Sequence, residues 1–266
     1  MRAGTAEVLL DLREIAVRFG AVVGLGGVSF CVHQGEILGL IGPNGSGKTT
    51  LFNCISGFYR PQHGEVRLRG RRVTGLPRHR IASLGIGRTF QNLALFSSMT
   101  VRENVLVGAH PLGRSGFLDH AFTTPRARRE AAVAEARLAA VLDLLDLAAH
   151  AHRPVSALPF GTAKRVEIAR ALIAEPALLL LDEPACGLNH SEVEDLFVLL
   201  RRLHARAALT IVLVEHHMGL VMRLCERVVV LAAGSKIADG PPEAVQKNPD
   251  VVRAYLGVAA EHVRAA

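Results

Sequence analysis

The sequence predicts an α/β fold: a P-loop core on a parallel sheet, with a small antiparallel β-subdomain and an inserted α-helical subdomain. Three observations carry this expectation. An apolar run from Ile37 to Ile41 passes through a glycine-rich turn into Leu51, Phe52 and Ile55 at helical spacing, the pattern of strand, loop and helix. Four leucines ending on Asp182 and Glu183 describe a parallel strand buried on both faces, with two acids at its C-terminal end, where open α/β sheets place their ligands. Between these, from Phe90 to about Ala157, strand-like runs give way to the Ala- and Arg-rich TPRARREAAVAEARLAAVLDLLDLAAHA.

The bulk of the chain sets limits before any motif is read. Its 266 residues are 50% apolar, enough for a sizeable core and against disorder. The longest charge-free runs, such as Gly20 to Gly35 and Thr89 to Val101, fall short of the roughly 20 apolar residues needed to cross a bilayer. Near the N-terminus Asp11, Arg13 and Glu14 interrupt the apolar run, unlike a secretory signal, so a cytoplasmic location is expected. Cys31, Cys54, Cys186 and Cys225 lie far apart with no C-x-x-C pair, and are expected to be reduced thiols, mostly buried. The formal charge of +7 comes from arginines spread along the chain. The densest cluster, EVRLRGRR from Glu65 to Arg72, alternates Arg with Val and Leu as a half-exposed strand does. It lacks the interleaved aromatics of a single-strand groove, so nucleic acid is not an expected partner.

The first strands, up to the one around Glu65 to Val73, are read as the antiparallel subdomain. Within the strand–loop–helix unit, Gly42 to Thr49 fits G-x-x-x-x-G-K-[ST]. The loop of Gly42, Pro43, Asn44, Gly45, Ser46 and Gly47 is expected to wrap phosphate oxygens through its backbone N–H groups, with the helix N-terminus adding its positive dipole end. Lys48 is placed on the β- and γ-phosphates and the Thr49 hydroxyl on Mg²⁺, with Thr50 at the next helical position. In the later strand, Asp182 is the expected Mg²⁺ carboxylate and Glu183 the acceptor of a proton from attacking water. In the Ala- and Arg-rich segment, Val133, Leu138, Val141, Leu142 and Leu145 suggest the apolar face of an amphipathic helix.

In this order, the segments resemble the nucleotide-binding subunits of ABC transporters over nearly the whole chain. The resemblance implies a RecA-like core with its β-subdomain at residues 1–90 and 158–240, a helical subdomain at 91–157 and a short helical extension at 241–266. It implies ATP and Mg²⁺ as ligands. Phe19 matches the aromatic that stacks on adenine. Gln91, in GRTFQN, matches the glutamine that contacts Mg²⁺ and the attacking water and links them to the membrane partner. Asn189, in CGLN, stands in the usual aspartate position of the dimer-contacting loop after the catalytic acid. His216, at the end of TIVLVEH, matches the switch histidine that reaches the γ-phosphate.

Within that family, RTFQNLALFSSMTVRENVLVG, EHHMGLVMRLCERVVVLAAGSKIADGPPEAV and the closing NPDVVRAYLG resemble the ATPases of branched-chain amino acid importers. The lipopolysaccharide-exporter ATPase shares much of this ending and is the nearest alternative. Non-transport ABC ATPases of DNA repair or chromosome organisation would need long coiled-coil or zinc insertions between P-loop and signature, and the interval from Thr50 to Leu158 holds none.

The family signature, roughly L-S-G-G-Q, is replaced here by Leu158, Pro159, Phe160, Gly161 and Thr162. The serine hydroxyl and the glutamine amide are lost, but Gly161 still permits close backbone approach and the following helix keeps its dipole. That helix is expected to pack through Val166, Ile168, Ala169, Leu172 and Ile173, with Lys164, Arg165, Glu167 and Arg170 between them. The resemblance implies that this signature reads a nucleotide held by another chain. The implied partners are multi-spanning permease subunits, a second ABC ATPase as homo- or heterodimer and, indirectly, a solute-binding protein. The implied location is the cytoplasmic face of the membrane, peripheral through the permease, with no transmembrane segment.

Overall fold

The computed structural model describes residues 7–90, 93–110, 124–207 and 209–255. The chain opens with a long antiparallel pair, β1 (Val8–Phe19) and β2 (Val22–His33). With β4 (His63–Leu68) and β5 (Arg71–Arg72) these strands form an antiparallel sheet in the order β2-β1-β4-β5. In β4, Val66 and Leu68 are buried while Glu65 and Arg67 pair on the outer side, the alternation expected of a half-exposed strand.

The second sheet has six strands. β3 (Ile37–Ile41), β6 (Ile86–Arg88), β7 (Leu178–Asp182), β8 (Thr210–Val214) and β9 (Arg227–Ala232) run parallel, and β10 (Ser235–Gly240) closes one edge antiparallel, in the order β10-β9-β3-β8-β7-β6. Every residue of β3, β7 and β8 is buried. The reason lies on the two sides of the sheet. Leu178 and Leu180, with Val212 and Val214, face the cluster shared with the antiparallel sheet and with α1 (Lys48–Ile55). Leu179 and Leu181, with Ile211 and Leu213, face a second cluster built with the remaining helices. A strand covered on both faces has no polar side to show, so it reads as a continuous apolar run.

The second cluster gathers α3 (Val101–Val107), α4 (Pro125–Leu144), α5 (Phe160–Leu172), α6 (His190–Ala207) and α7 (Met218–Leu224). A short α2 (Arg78–Ser83) precedes β6, and α8 (Pro242–Gln246) follows β10, with further helix over 249–255. Among the described residues no helix is long and apolar enough to cross a membrane.

Two expectations, for the face of α4 and for the cysteines, are corrected, and the placement of the α5 charges is settled. On α4, Leu138, Val141 and Leu142, with Leu145 just beyond, are buried, but Val133 is 52% exposed. The reason is angular: Val133 lies five residues before Leu138, about 140° round the helix, whereas Ala134 at four residues does pack on the core. On α5, Lys164 and Glu167 do not reach water but are buried with the apolar residues, because α5 is enclosed on several sides. Of the cysteines, Cys54 and Cys225 are buried, which pushes both thiols up to about 12, but Cys31 is only partly covered and Cys186 is exposed.

A close approach between helices sits at Gly108, after α3, where an added Cβ would come within 1.9 Å of the Arg170 carbonyl oxygen on α5. Because that obstacle is backbone, Gly108→Ala is expected to destabilise the fold by about 1–3 kcal/mol through overpacking. Gly240→Ala, which meets nothing within 4 Å, is the matched control. Chemical denaturation of both variants checks this, and equal midpoints would refute it.

Candidate functional site

The turn after β3 is shaped by its neighbours. Gly42 has φ 151°, and a Cβ there would lie 2.1 Å from the Leu231 carbonyl oxygen, so no other residue fits. Gly47 is left-handed at the N-cap of α1, and this end has neither a side-chain cap nor an acid in its first turn. Its backbone donors are therefore available to an anion. Lys48 is buried, and its Nζ donates to the carbonyl oxygens of Gly42 at 2.7 Å and Pro43 at 3.0 Å. Burial lowers the pKa of Lys48, opposed by the nearby Glu183 and Asp182. Asn44, Gly45 and Thr49 are exposed around the loop, Pro43 and Thr50 are half-buried, and the buried Ser46 Oγ has no hydrogen-bond partner.

Asp182 ends β7 with 2% of its side chain exposed. Its backbone N–H donates to Thr89 Oγ1 at 3.2 Å, and its Oδ2 accepts from Arg88 Nη2 at 3.1 Å. Oδ1 is buried without a partner. Burial raises the carboxyl's pKa, with Arg88 pulling it down. A carboxylate oxygen left open beside a threonine hydroxyl and a phosphate loop fits the oxygen-ligand chemistry of Mg²⁺. Among the described residues no cluster of three His, Cys, Asp or Glu makes a separate metal site.

Glu183 follows in the left-handed region at φ 48°, a strained position for a non-glycine residue. His216 Nε2 lies 3.0 Å from Glu183 Oε1. What brings them together is Glu215, 3% exposed at the end of β8. Its Oε1 accepts from Ala185 N at 2.6 Å, and its Oε2 accepts from the backbone of His216 at 3.0 Å and of His217 at 3.2 Å. One carboxylate thus stitches the loop after Glu183 to the loop bearing His216. His217 is turned to local work: its Nδ1 accepts from Leu220 N and caps α7.

The remaining expected residues sit apart from this centre. Phe19, 47% exposed at the end of β1, meets Tyr59 edge to face at 5.4 Å. Gln91 lies outside the described residues. Leu158 packs on the core, Pro159 is the N-cap of α5 without a side-chain cap, Phe160 is 46% exposed, and a Cβ on Gly161 would press on Glu192. Thr162 is half-buried. Asn189 has an assignment that the sequence reading did not foresee: its Oδ1 accepts from Glu192 N while Glu192 accepts from Asn189 N, which caps α6.

Four residues escaped the sequence reading. Arg88 was passed over for Gln91, although a charge at the end of a short strand beside an apolar one was a usable signal. Glu215, just before His216 in TIVLVEH, carries no local pattern that marks its role. Glu167 accepts from Phe90 N at 2.8 Å and so ties α5 to the segment leading to Gln91. Tyr255, in the A-Y-L-G ending, is a partly buried phenol whose hydroxyl lies near the Gly42 backbone without making a hydrogen bond, and burial raises its pKa.

Comparison with known proteins gives the family and the fold. Residues 25–186 match the ABC transporter family, and residues 235–261 match the branched-chain amino acid ATP-binding cassette transporter family. The high-affinity branched-chain amino acid transport ATP-binding protein BraF of Pseudomonas aeruginosa is 43% identical over 94% of this chain and 98% of its own. A crystal structure of a nucleotide-free ATP-binding cassette from an ABC transporter superposes with a TM-score of 0.81 at 32% identity, covering 93% of this chain and 98% of that one. A dimeric cassette in a post-hydrolysis state, bound to ADP and phosphate, superposes with a TM-score of 0.72 at 26% identity over 88% of this chain and 99% of its own.

Burial raises the pKa of Glu167 above its ordinary 4.5, outweighing the Phe90 hydrogen bond and the nearby Lys164 and Arg170. The folded chain therefore keeps this proton at pH values where the unfolded chain has lost it, so stability falls as pH rises above 4.5 through the folded pKa. Glu167→Gln keeps an oxygen acceptor for Phe90 N without a charge. It is expected to melt at a higher temperature than the parent at about pH 8, and to show a flatter profile down to about pH 5. Thermal melts across that range check this, and parallel profiles would refute it.

Proposed function

The chain belongs to the ABC transporter family as an ATP-hydrolysing subunit, and from that premise we propose that it drives an importer of branched-chain amino acids, or of related small polar solutes such as amides and urea, through a separate membrane permease. The chemistry rests on one observation above the others: the Glu183–His216 pair at 3.0 Å beside the buried Asp182 and the P-loop lysine. The choice of importer over lipopolysaccharide exporter is supported by the branched-chain amino acid family match at residues 235–261.

In this reading the loop from Gly42 to Gly47, with Lys48, holds the phosphates of ATP. Phe19 stacks on the adenine. Thr49, Asp182 and Gln91 hold Mg²⁺, Asp182 through the oxygen that has no partner in the chain. Bound there, Mg²⁺ supplies neutralisation of the charge that develops on the transferring phosphoryl group. Glu183 accepts the proton of the attacking water. His216, hydrogen-bonded to Glu183, orients that carboxylate and reaches the γ-phosphate. The segment 91–157 with Gln91 receives the permease and passes on the closing motion.

The second half of each nucleotide site comes from another ATPase chain. Leu158, Phe160, Gly161 and Thr162, at the uncapped start of α5, approach the partner's nucleotide, with Asn189 nearby in the dimer contact. The lost serine and glutamine contacts are each worth on the order of 1 kcal/mol. The altered signature therefore slows the partner's site more than this chain's own. Bound through the permease, the subunit works at the cytoplasmic membrane face, and a solute-binding protein delivers the cargo.

Glu183→Gln is expected to bind ATP with little change while hydrolysis falls by about a hundredfold or more, the loss typical of removing a general base. In a heterodimer with a co-encoded ATPase, Glu183→Gln is expected to damage transport more than Thr162→Ala, and equal damage would count against the division of labour. Solution mass of the Glu183→Gln chain with ATP and Mg²⁺ reads the assembly. A dimer formed alone supports a homodimer, and a dimer formed only with the second ATPase supports a heterodimer. Unimpaired hydrolysis by Glu183→Gln would overturn the catalytic assignment.

A further inference from the structure

Arg88 lies in the interior beside the candidate centre, its side chain 8% exposed, yet nothing in the proposed chemistry uses it. Its guanidinium reaches two elements at once. Nη2 donates to Asp182 Oδ2 on β7 at 3.1 Å, while Nη1 donates to Asn53 Oδ1 at 2.8 Å and to Ser56 Oγ at 2.5 Å, on α1 and at its C-cap. Ser56 Oγ in turn donates to the Phe52 carbonyl at 2.6 Å. The rings of Phe52, Phe58 and Phe90 surround the fork, with centroids 5.7, 5.4 and 5.3 Å from its central carbon. Nε has no partner, so the group is held by its two terminal nitrogens and by stacking.

We propose that Arg88 is a positioning residue for the metal carboxylate: a brace from β6 that fixes the spacing between α1, which carries Thr49, and β7, which carries Asp182. The inference rests on the reading of Asp182 and Thr49 as Mg²⁺ ligands. A counter-ion alone would need only the Asp182 contact, and Lys48 already supplies a positive charge nearby. The two bonds to α1 add what a point charge cannot: they tie the helix bearing one ligand to the strand bearing the other. By occupying Oδ2, Arg88 also leaves Oδ1 as the open oxygen, fixing which way the carboxylate faces. Lysine keeps the charge but has neither the planar fork nor the stacking, so it cannot replace the brace.

The test uses the full chain, with Mn²⁺ as probe, its binding followed by electron paramagnetic resonance in the presence of ATP, and ATP affinity measured separately in chelator. Arg88→Met and Arg88→Lys are both expected to weaken Mn²⁺ binding by about tenfold or more, the usual range for groups that orient metal ligands, with metal-free ATP affinity little changed. Asn53→Ala removes one of the two bonds at the α1 end, leaving the Ser56 bond and the Arg88–Asp182 pair whole. It is expected to weaken Mn²⁺ in the same direction, and it carries the test if the Arg88 variants do not fold. Full Mn²⁺ affinity in Asn53→Ala, or full rescue by Arg88→Lys, would overturn the brace, as would Arg88→Met that only lowers the melting temperature. Asp182→Asn separates the two levels: if it retains Mn²⁺, the metal reading itself fails, and if it loses Mn²⁺ while the Arg88 and Asn53 variants do not, only the brace fails.

Discussion

Carrying the Asp182 carboxylate to 2% exposure at the end of a strand whose five residues are all buried is costly, because an uncompensated charge in an apolar interior destabilises by several kcal/mol. The surroundings answer that cost piece by piece. Arg88 enters from β6, Lys48 from α1, and Thr89 accepts the Asp182 backbone N–H. Each partner can be there only because β6, β7 and α1 are locked by the two apolar clusters on either side of the six-stranded sheet. The compensation is incomplete at one atom, Oδ1, which is buried without a hydrogen-bond partner and is the atom on which the proposed metal role of Asp182 turns.

Helix ends divide along the same line. α3 and α6 close their N-termini with their own side chains, Thr100 with Glu103 and Asn189 with Glu192. α1 and α5 do not, and neither has an acid in its first turn. A capped helix has answered its free backbone donors internally, and an uncapped one offers them to something else. The P-loop helix and the helix that starts at Phe160 are two of the uncapped ends, and the short α2 and α8 also start without a side-chain cap. Pro159 and Thr162, in place of a serine and a glutamine, therefore leave the backbone donors at the start of α5 without a side-chain partner from the cap.

The loops that carry Glu183 and His216 belong to different strands and are held together by Glu215, which accepts backbone donors from both. Glu167 acts similarly at a distance, anchoring Phe90 from α5. Buried carboxylates that accept backbone N–H groups join segments far apart in the chain. They leave little trace in periodicity, because each occupies a position where a core residue would also fit.

Two kinds of information can be read from the linear chain. The phosphate loop, the Asp182–Glu183 strand end and the antiparallel start were legible because local chemistry dictates them: glycines where φ is positive, and unbroken apolar runs where a strand is covered on both faces. The face of α4 was legible apart from Val133, since helical angle alone separates it from Leu138. The burial of Lys164 and Glu167, the exposure of Cys186, the capping role of Asn189, the Arg88 fork and the Glu215 stitch were decided only by tertiary structure. Whether a charged side chain reaches water or closes a contact depends on elements tens of residues away, as with Arg88 and Asp182, 94 positions apart. Sequence determines which groups are available and in what local geometry, whereas packing determines which of them meet.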